Sequence, residues 1–423
     1  MRLGLPKGTF GRSVMLLAGG TALGQLVVVA ASPILTRLYE PIDLGALAVY
    51  VALLTIIMSV ASLRFELAIP IAPDDLTAAH LLALCGLVLL LVCAGCALAV
   101  WALGDTVAGW TNTPQLEPYL WLLPVGLLAV GINQALSYWV VRRQAYARIA
   151  RTRVTQSVAQ VGTQIGIGAV HEGTAGLIVG AVVGRAGGSG SYLSLAWKND
   201  RDEFKAVRWA GIRAAAARYR RFPAFSSGSA ILSSVGAQLP TLLLGTFYGA
   251  TVLGWFALTQ RIIALPLAVI GNAVTQAYLG EASAHLHGDR TRVRDLYFGT
   301  TKRLAAIGVI PLTILVIGGP WLFTHIFGSA WAEAGSYIRV LAPMYYIQFI
   351  VVPLHQTLAI FERLRLQFFY DFTRLALGAG ALVAAHAVGF SAVEALVVYS
   401  VALSCAYALN FWLNSRTVVE YAS

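Results

Sequence analysis

Long apolar runs separated by short polar segments cover most of the chain. Bounded by charges and turn residues, they fall first at 13–36, 44–68, 78–103 and 118–141. The next four lie at 152–170, 175–197, 223–247 and 251–280, and the last four at 299–319, 336–361, 371–388 and 393–415. A helix needs roughly 20 such residues to cross a hydrocarbon core of about 30 Å. Lipid offers no water to an unpaired backbone group, so these runs are predicted as helices rather than lone strands. About twelve spans follow, numbered here in chain order. The basic residues Arg2, Lys7 and Arg12 before the first run have the look of a cleaved leader. The run itself is longer than the roughly 7–15 residues of a leader's apolar stretch, and is read as a retained span.

The polar positions give the orientation. All of the 30 Lys and Arg except Arg37, Arg185, Arg261 and Arg339 lie at the two termini or at the loops after even-numbered spans. Basic residues stay on the cytoplasmic side, which predicts both termini there. The longest polar segment, 198–222, divides the chain into a six-helix bundle (1–197), a cytoplasmic linker (198–222) and a second six-helix bundle (223–423). A short echo links the halves: Tyr39, Leu44, Gly45 and Ala48 recur as Tyr248, Leu253, Gly254 and Ala257. Each set sits where the first span of a half turns into the second. That points to a parallel repeat and to an all-α integral membrane fold of two bundles around a central cavity.

Composition narrows the function. Apolar residues are 58% of the chain, charged residues 12%, and the mean hydropathy is +0.73. Soluble domains run near 45–50% apolar and about 25% charged, so this is a transporter-like body without room for a large catalytic domain. The net charge of +11 is spread over loops rather than gathered in one stripe, which speaks against nucleic acid as a partner. The cysteines, Cys85, Cys93, Cys96 and Cys405, all lie in apolar runs, and the CxxC of Cys93 and Cys96 has no second pair to complete a zinc site. The sequence has no GxSxG, no HExxH and no P-loop. Asp74 and Asp75 stand alone after Pro73, as solvated loop carboxylates would. No enzyme chemistry, cofactor or metal is expected.

What remains is charge inside the membrane. An arginine at mid-bilayer costs about 2.5–3.5 kcal/mol on insertion scales, so one kept there has a reason. Arg185, about ten residues into span 6, and Arg261, about ten into span 8, fall roughly 15 Å deep. They serve either as hydrogen-bonded structural groups or as the wall of a cationic cavity. Few spans place a carboxylate at that depth, and a guanidinium suits phosphate in bidentate contact. Arg37 ends span 1, and Arg64 with Glu66 lies at the inner end of span 2. Gln25, Gln260, Asn272 and Gln276 are polar positions within spans that either join helices or line a cavity, and Glu66 is a candidate for ion coupling.

Three segments resemble the bacterial oligosaccharide flippases, the Wzx-like polysaccharide transporters of the MOP superfamily. They are SPILTRLYEPIDLGALAVY (Ser32–Tyr50), LRFELAIPIAPDD (Leu63–Asp75) and LTQRIIALPLAVIGNAVTQAYLGEAS (Leu258–Ser283). The likeness is strongest over 10–80 and 225–285 and fades in the last third. It implies two six-helix bundles whose central cavity opens alternately to each side. It also implies transfer of an undecaprenyl-diphosphate-linked oligosaccharide to the outer leaflet of the bacterial plasma membrane, for O-antigen, capsule or exopolysaccharide. Membrane lipids and the polysaccharide polymerase machinery are the further partners. On this reading Arg37, Arg64 and Arg261 stand in family-like segments, while Arg185 rests on its depth alone. A multidrug antiporter of the same superfamily, a membrane glycan polymerase or ligase, and a lipid II flippase are the rivals. The first would want acidic cavity residues, the second a large outer loop, the third two extra helices.

Overall fold

In a computed structural model of the chain, residues 9–171, 173–285 and 290–422 are described. Arg2 and Lys7 lie outside them. The described residues are helical, with no strand. Each of the twelve predicted spans finds a helix. They are α1 (Thr9–Leu38), α2 (Pro41–Met58), α3 (Asp75–Trp110), α4 (Leu122–Arg142) and α5 (Tyr146–Gly168). The sixth is broken into α6 (Ala175–Ala186) and α7 (Ser189–Asn199), and two short helices follow, α8 (Arg201–Lys205) and α9 (Trp209–Arg218). Next come α10 (Ser227–Pro266), α11 (Asn272–His285) and α12 (Arg290–Phe327). The chain closes with α13 (Ala332–Val351), α14 (Thr357–Ile360), α15 (Leu364–Val388) and α16 (Ala392–Ala422). By length and apolar content alone, 9 helical runs of the described residues suit a bilayer, with 227–285 counted as one. The fifth span falls short because α5 carries Arg148, Arg151, Arg153 and three glutamines; the sixth because it is broken.

The chain divides into two compact units, Met1–Thr251 and Val252–Ser423. In the first, the corner between α1 and α2 is built by its own sequence. Pro41 opens α2 with its φ already helical, and Asp43 accepts the backbone N–H of Glu40 at 3.1 Å. The corner is then tied to the start of the sixth span and to the fifth: Thr174 donates to Asp43 at 2.7 Å, and the Tyr39 hydroxyl donates to the Gln164 carbonyl of α5 at 2.6 Å. The counterpart corner lies inside α10, where Gly249 (φ 84°) breaks the helix beside Tyr248. Within the first unit, Gly45 and Ala250 meet. A Cβ on Gly45 would lie 1.9 Å from the carbonyl oxygen of Ala250, so only glycine allows that approach.

Two span limits are corrected, and the polar segment between the halves has a described structure of its own. Span 2 ends at Met58 rather than 68, because the chain turns through left-handed Leu63 and Arg64 (φ 49° and 64°) before a short 3-10 turn at Phe65–Ala68. Span 6 is interrupted at Gly187 and Gly188 (φ 76°), where Gly188 passes close to Thr152. The polar segment 198–222 is folded onto the first unit: Asp200, itself buried, pairs with Arg143 and accepts from the Trp139 indole at 2.9 Å. Ala215, with Ile212, Tyr219 and Phe222, packs on the buried face of α3.

In the second unit, Trp255 and Thr259 donate to the carbonyls of Ala330 and Ala334, each at 2.8 Å. Pro320 cannot donate to the carbonyl of Val316; the Arg339 guanidinium does so instead, at 2.8 Å, and reaches Ile317 at 3.1 Å. Arg339, one of the four basic residues outside the termini and the loops after even-numbered spans, is thus a helix repair.

Candidate functional site

The loop after α2 builds the site. A left-handed backbone at a non-glycine residue costs about 1–2 kcal/mol, and two occur in succession at Leu63 and Arg64. Packing and hydrogen bonds offset that cost. Phe65, Ala68, Ile69 and Ala72 are buried against α3 and Trp139. Arg142 donates to the carbonyls of Ile69 and Ala72 and to the Asp75 carboxylate, at 3.2, 2.7 and 2.8 Å. Asp74 caps α3 by accepting the Thr77 N–H at 2.7 Å, which holds its carboxyl below the usual carboxylate range.

This geometry turns Glu66 inward, where 1% of it is exposed. Its carboxylate accepts from the Ser62 hydroxyl and, at 3.0 Å, from the Gln134 amide, with the Arg64 guanidinium 3.7 Å away. Arg64 itself is partly exposed, and its Nε–H has no hydrogen-bond partner.

Arg64 and Gln134 line a cavity of about 600 Å³ inside the first unit. Thr55 of α2 and Ser59 at its end line it, as do Ser226, just before α10, and Ser229, Ser233 and Ser234 at the start of α10. Met58, Leu67 and Ala230 complete the described lining, so Arg64 is its only charged residue. The volume is in the range of roughly 300–1,000 Å³ usual for small-molecule sites. A wall of hydroxyls, one amide and one guanidinium can hold a hydroxyl-rich anion. Among the described residues no three His, Cys, Asp or Glu converge to hold a metal.

Arg261 belongs to the second unit. It lies within α10, and its Nη1 is buried with no partner. Its neighbour Gln260 lies beside the Tyr345 hydroxyl. Asn272 and Gln276 lie on the exposed face of α11.

The other predicted residues stand apart from the cavity. Arg37 is exposed at the end of α1, and Gln25 is exposed on the same helix. Arg185 sits in the last turn of α6, at the broken point of span 6, and donates to the Ala181 carbonyl of its own helix at 3.0 Å. Of the predicted set, only Arg64 lines the cavity, with Glu66 behind it. The four serines and the bridging role of Gln134 were missed in the sequence. The readable signal was SSGSAILSS over 226–234, whose serines recur at helical spacing.

The fold and the cavity can now be set beside known proteins. The family described as "Polysaccharide biosynthesis protein" matches residues 34–336, and the chain belongs to it. A curated relative, the teichuronic acid biosynthesis protein TuaB of Bacillus subtilis (strain 168), is 26% identical over 197 residues. That match spans 47% of this chain and 40% of the relative, so less than half of the relative's length is covered. Among solved structures, the lipid II flippase MurJ in an inward closed conformation aligns with a TM-score of 0.70 at 8% identity, over 96% of this chain and 90% of that one. A multidrug resistance MATE family transporter of the MOP superfamily, facing inward, aligns with a TM-score of 0.68 at 14% identity, over 96% and 95%. At such identities the structures establish the fold, which flippases and drug transporters share. The chain thus belongs to a polysaccharide biosynthesis family and has the multi-pass helical fold seen in those MATE and MurJ structures.

Proposed function

We propose that this protein moves a polyprenyl-diphosphate-linked oligosaccharide from the cytoplasmic to the outer leaflet of the bacterial plasma membrane, for O-antigen, capsule or exopolysaccharide assembly. The observation that carries this reading is the cavity beside Arg64, a hydroxyl-lined chamber with one cationic group and no carboxylate among its described lining residues. A drug antiporter for cations would need the opposite charge. Arg261, in the second unit, is a separate proposed anion contact, since a guanidinium N–H buried without a partner is set to gain from phosphate. Burying a diphosphate unpaired in hydrocarbon is prohibitive, and a guanidinium partner lowers that cost. Arg37, at the exposed end of α1, and Arg185, at the helix break, are the further basic contacts of the path. Both termini are cytoplasmic, transport runs by alternating access, no covalent step is required, and the polymerase machinery receives the product.

In cells lacking the protein, lipid-linked repeat units are expected to accumulate on the inner leaflet, and wild type to clear them. Arg261→Gln at equal membrane abundance is expected to clear them at least tenfold more slowly, about the worth of a charge-assisted hydrogen bond. Clearance at the wild-type rate by Arg261→Gln would remove Arg261 from the path. No accumulation in the deletion strain would remove the transport reading itself.

A further inference from the structure

The serines facing Arg64 are unusual for this chain. Hydroxyls within helices commonly turn back onto a carbonyl one turn earlier, and Ser32, Thr275, Ser404 and Thr417 do so here. The hydroxyls of Ser226, Ser229, Ser233 and Ser234 have no hydrogen-bond partner among the described residues, and all four residues line the cavity. Residues 226, 229 and 233 are spaced to share one helical face. Opposite them, Gln134 gives its amide nitrogen to Glu66, which leaves its carbonyl oxygen as an acceptor. Free donors and acceptors therefore surround a space that also holds a guanidinium.

We infer that this cavity reads the sugar joined directly to the diphosphate, with Ser229, Ser233 and the Gln134 carbonyl contacting its hydroxyls while Arg64 holds the adjacent phosphate. Glu66 is a positioning residue, because it fixes the Gln134 amide and sits 3.7 Å from Arg64 without lining the space itself. A site built from hydrogen-bonding groups discriminates strongly against ligands that leave them unpaired. The single cationic group and the lack of carboxylates in the described lining fit a neutral or acidic sugar and disfavour one with a free amine. The inference rests on the transport reading above and adds to it which part of the substrate is recognised, and by what.

The test is binding to the purified full chain in lipid nanodiscs. The probes are a short-chain prenyl diphosphate and the same compound carrying a neutral hexose, an N-acetylhexosamine or a hexuronic acid. At least one sugar-bearing probe is expected to bind wild type roughly tenfold more tightly than the bare prenyl diphosphate, the worth of one or two neutral hydrogen bonds. The double substitution Ser229→Val and Ser233→Val should reduce that ratio to about twofold or less. Arg64→Gln should weaken all the probes alike. A ratio of one for every sugar in wild type, or a ratio that survives the double substitution, overturns the sugar site while the diphosphate site stands. If none of the probes binds wild type, the transport reading falls as well. A correctly folded double variant is verified by gel filtration, and Ser229→Ala with Ser233→Ala gives a second version of the same comparison.

Discussion

Arg261 is proposed as a functional charge because of what it lacks. Pro320 leaves a free carbonyl that Arg339 fills, and Arg185 folds back onto Ala181. Arg261 buries a guanidinium nitrogen that nothing satisfies. A buried donor without a partner costs about 1–3 kcal/mol, so Arg261→Met is expected to raise unfolding free energy by about that amount while transport falls. Thermal unfolding in detergent beside a transport assay checks this; a variant less stable than wild type would mean the guanidinium is a structural strut. Depth drew attention to both Arg185 and Arg261 in the sequence, and Arg261 also stood in a family-like segment. Depth could not separate them, because the break at Gly187 and Gly188 that relocates Arg185 depends on the passage of Gly188 close to Thr152.

At the level of elements, apolar length and loop charge were enough to place the helices, since the bilayer imposes one solution on every span. The ends and interruptions were less legible. The run 44–68 reads as one apolar stretch, yet α2 stops at Met58 because the following loop must turn Glu66 and Arg64 toward Gln134. The segment 198–222 reads as a polar linker, yet Asp200 and the apolar side of α9 find partners on α3 and α4 that are distant in sequence. The echo around Tyr39 and Tyr248 was legible, and its physical content is the contact between Gly45 and Ala250. Gly45→Ala places a methyl against backbone, and a loss of about 1–3 kcal/mol is expected from overpacking. Gly86→Ala, in the interior of α3 with nothing within 4 Å of the added Cβ, should be neutral or stabilising by up to about 1 kcal/mol. Equal melting temperatures for the two variants would contradict the close approach.

For the whole molecule, the fold is common to transporters of opposite chemistry, so the fold does not assign the cargo. The family match narrows it to polysaccharide biosynthesis, and the one cationic residue among the cavity's described lining supports the proposed hydroxyl-bearing anion. The most direct measurement of the central claim uses protein reconstituted into liposomes that carry a prenyl-diphosphate-linked oligosaccharide in both leaflets. The fraction of sugar open to an impermeant reagent is followed over time. Wild type should make nearly all of it reactive, and Arg64→Gln at equal incorporation should lag by roughly tenfold or more. A reactive fraction that stays near half with wild type, as in empty liposomes, would contradict the account.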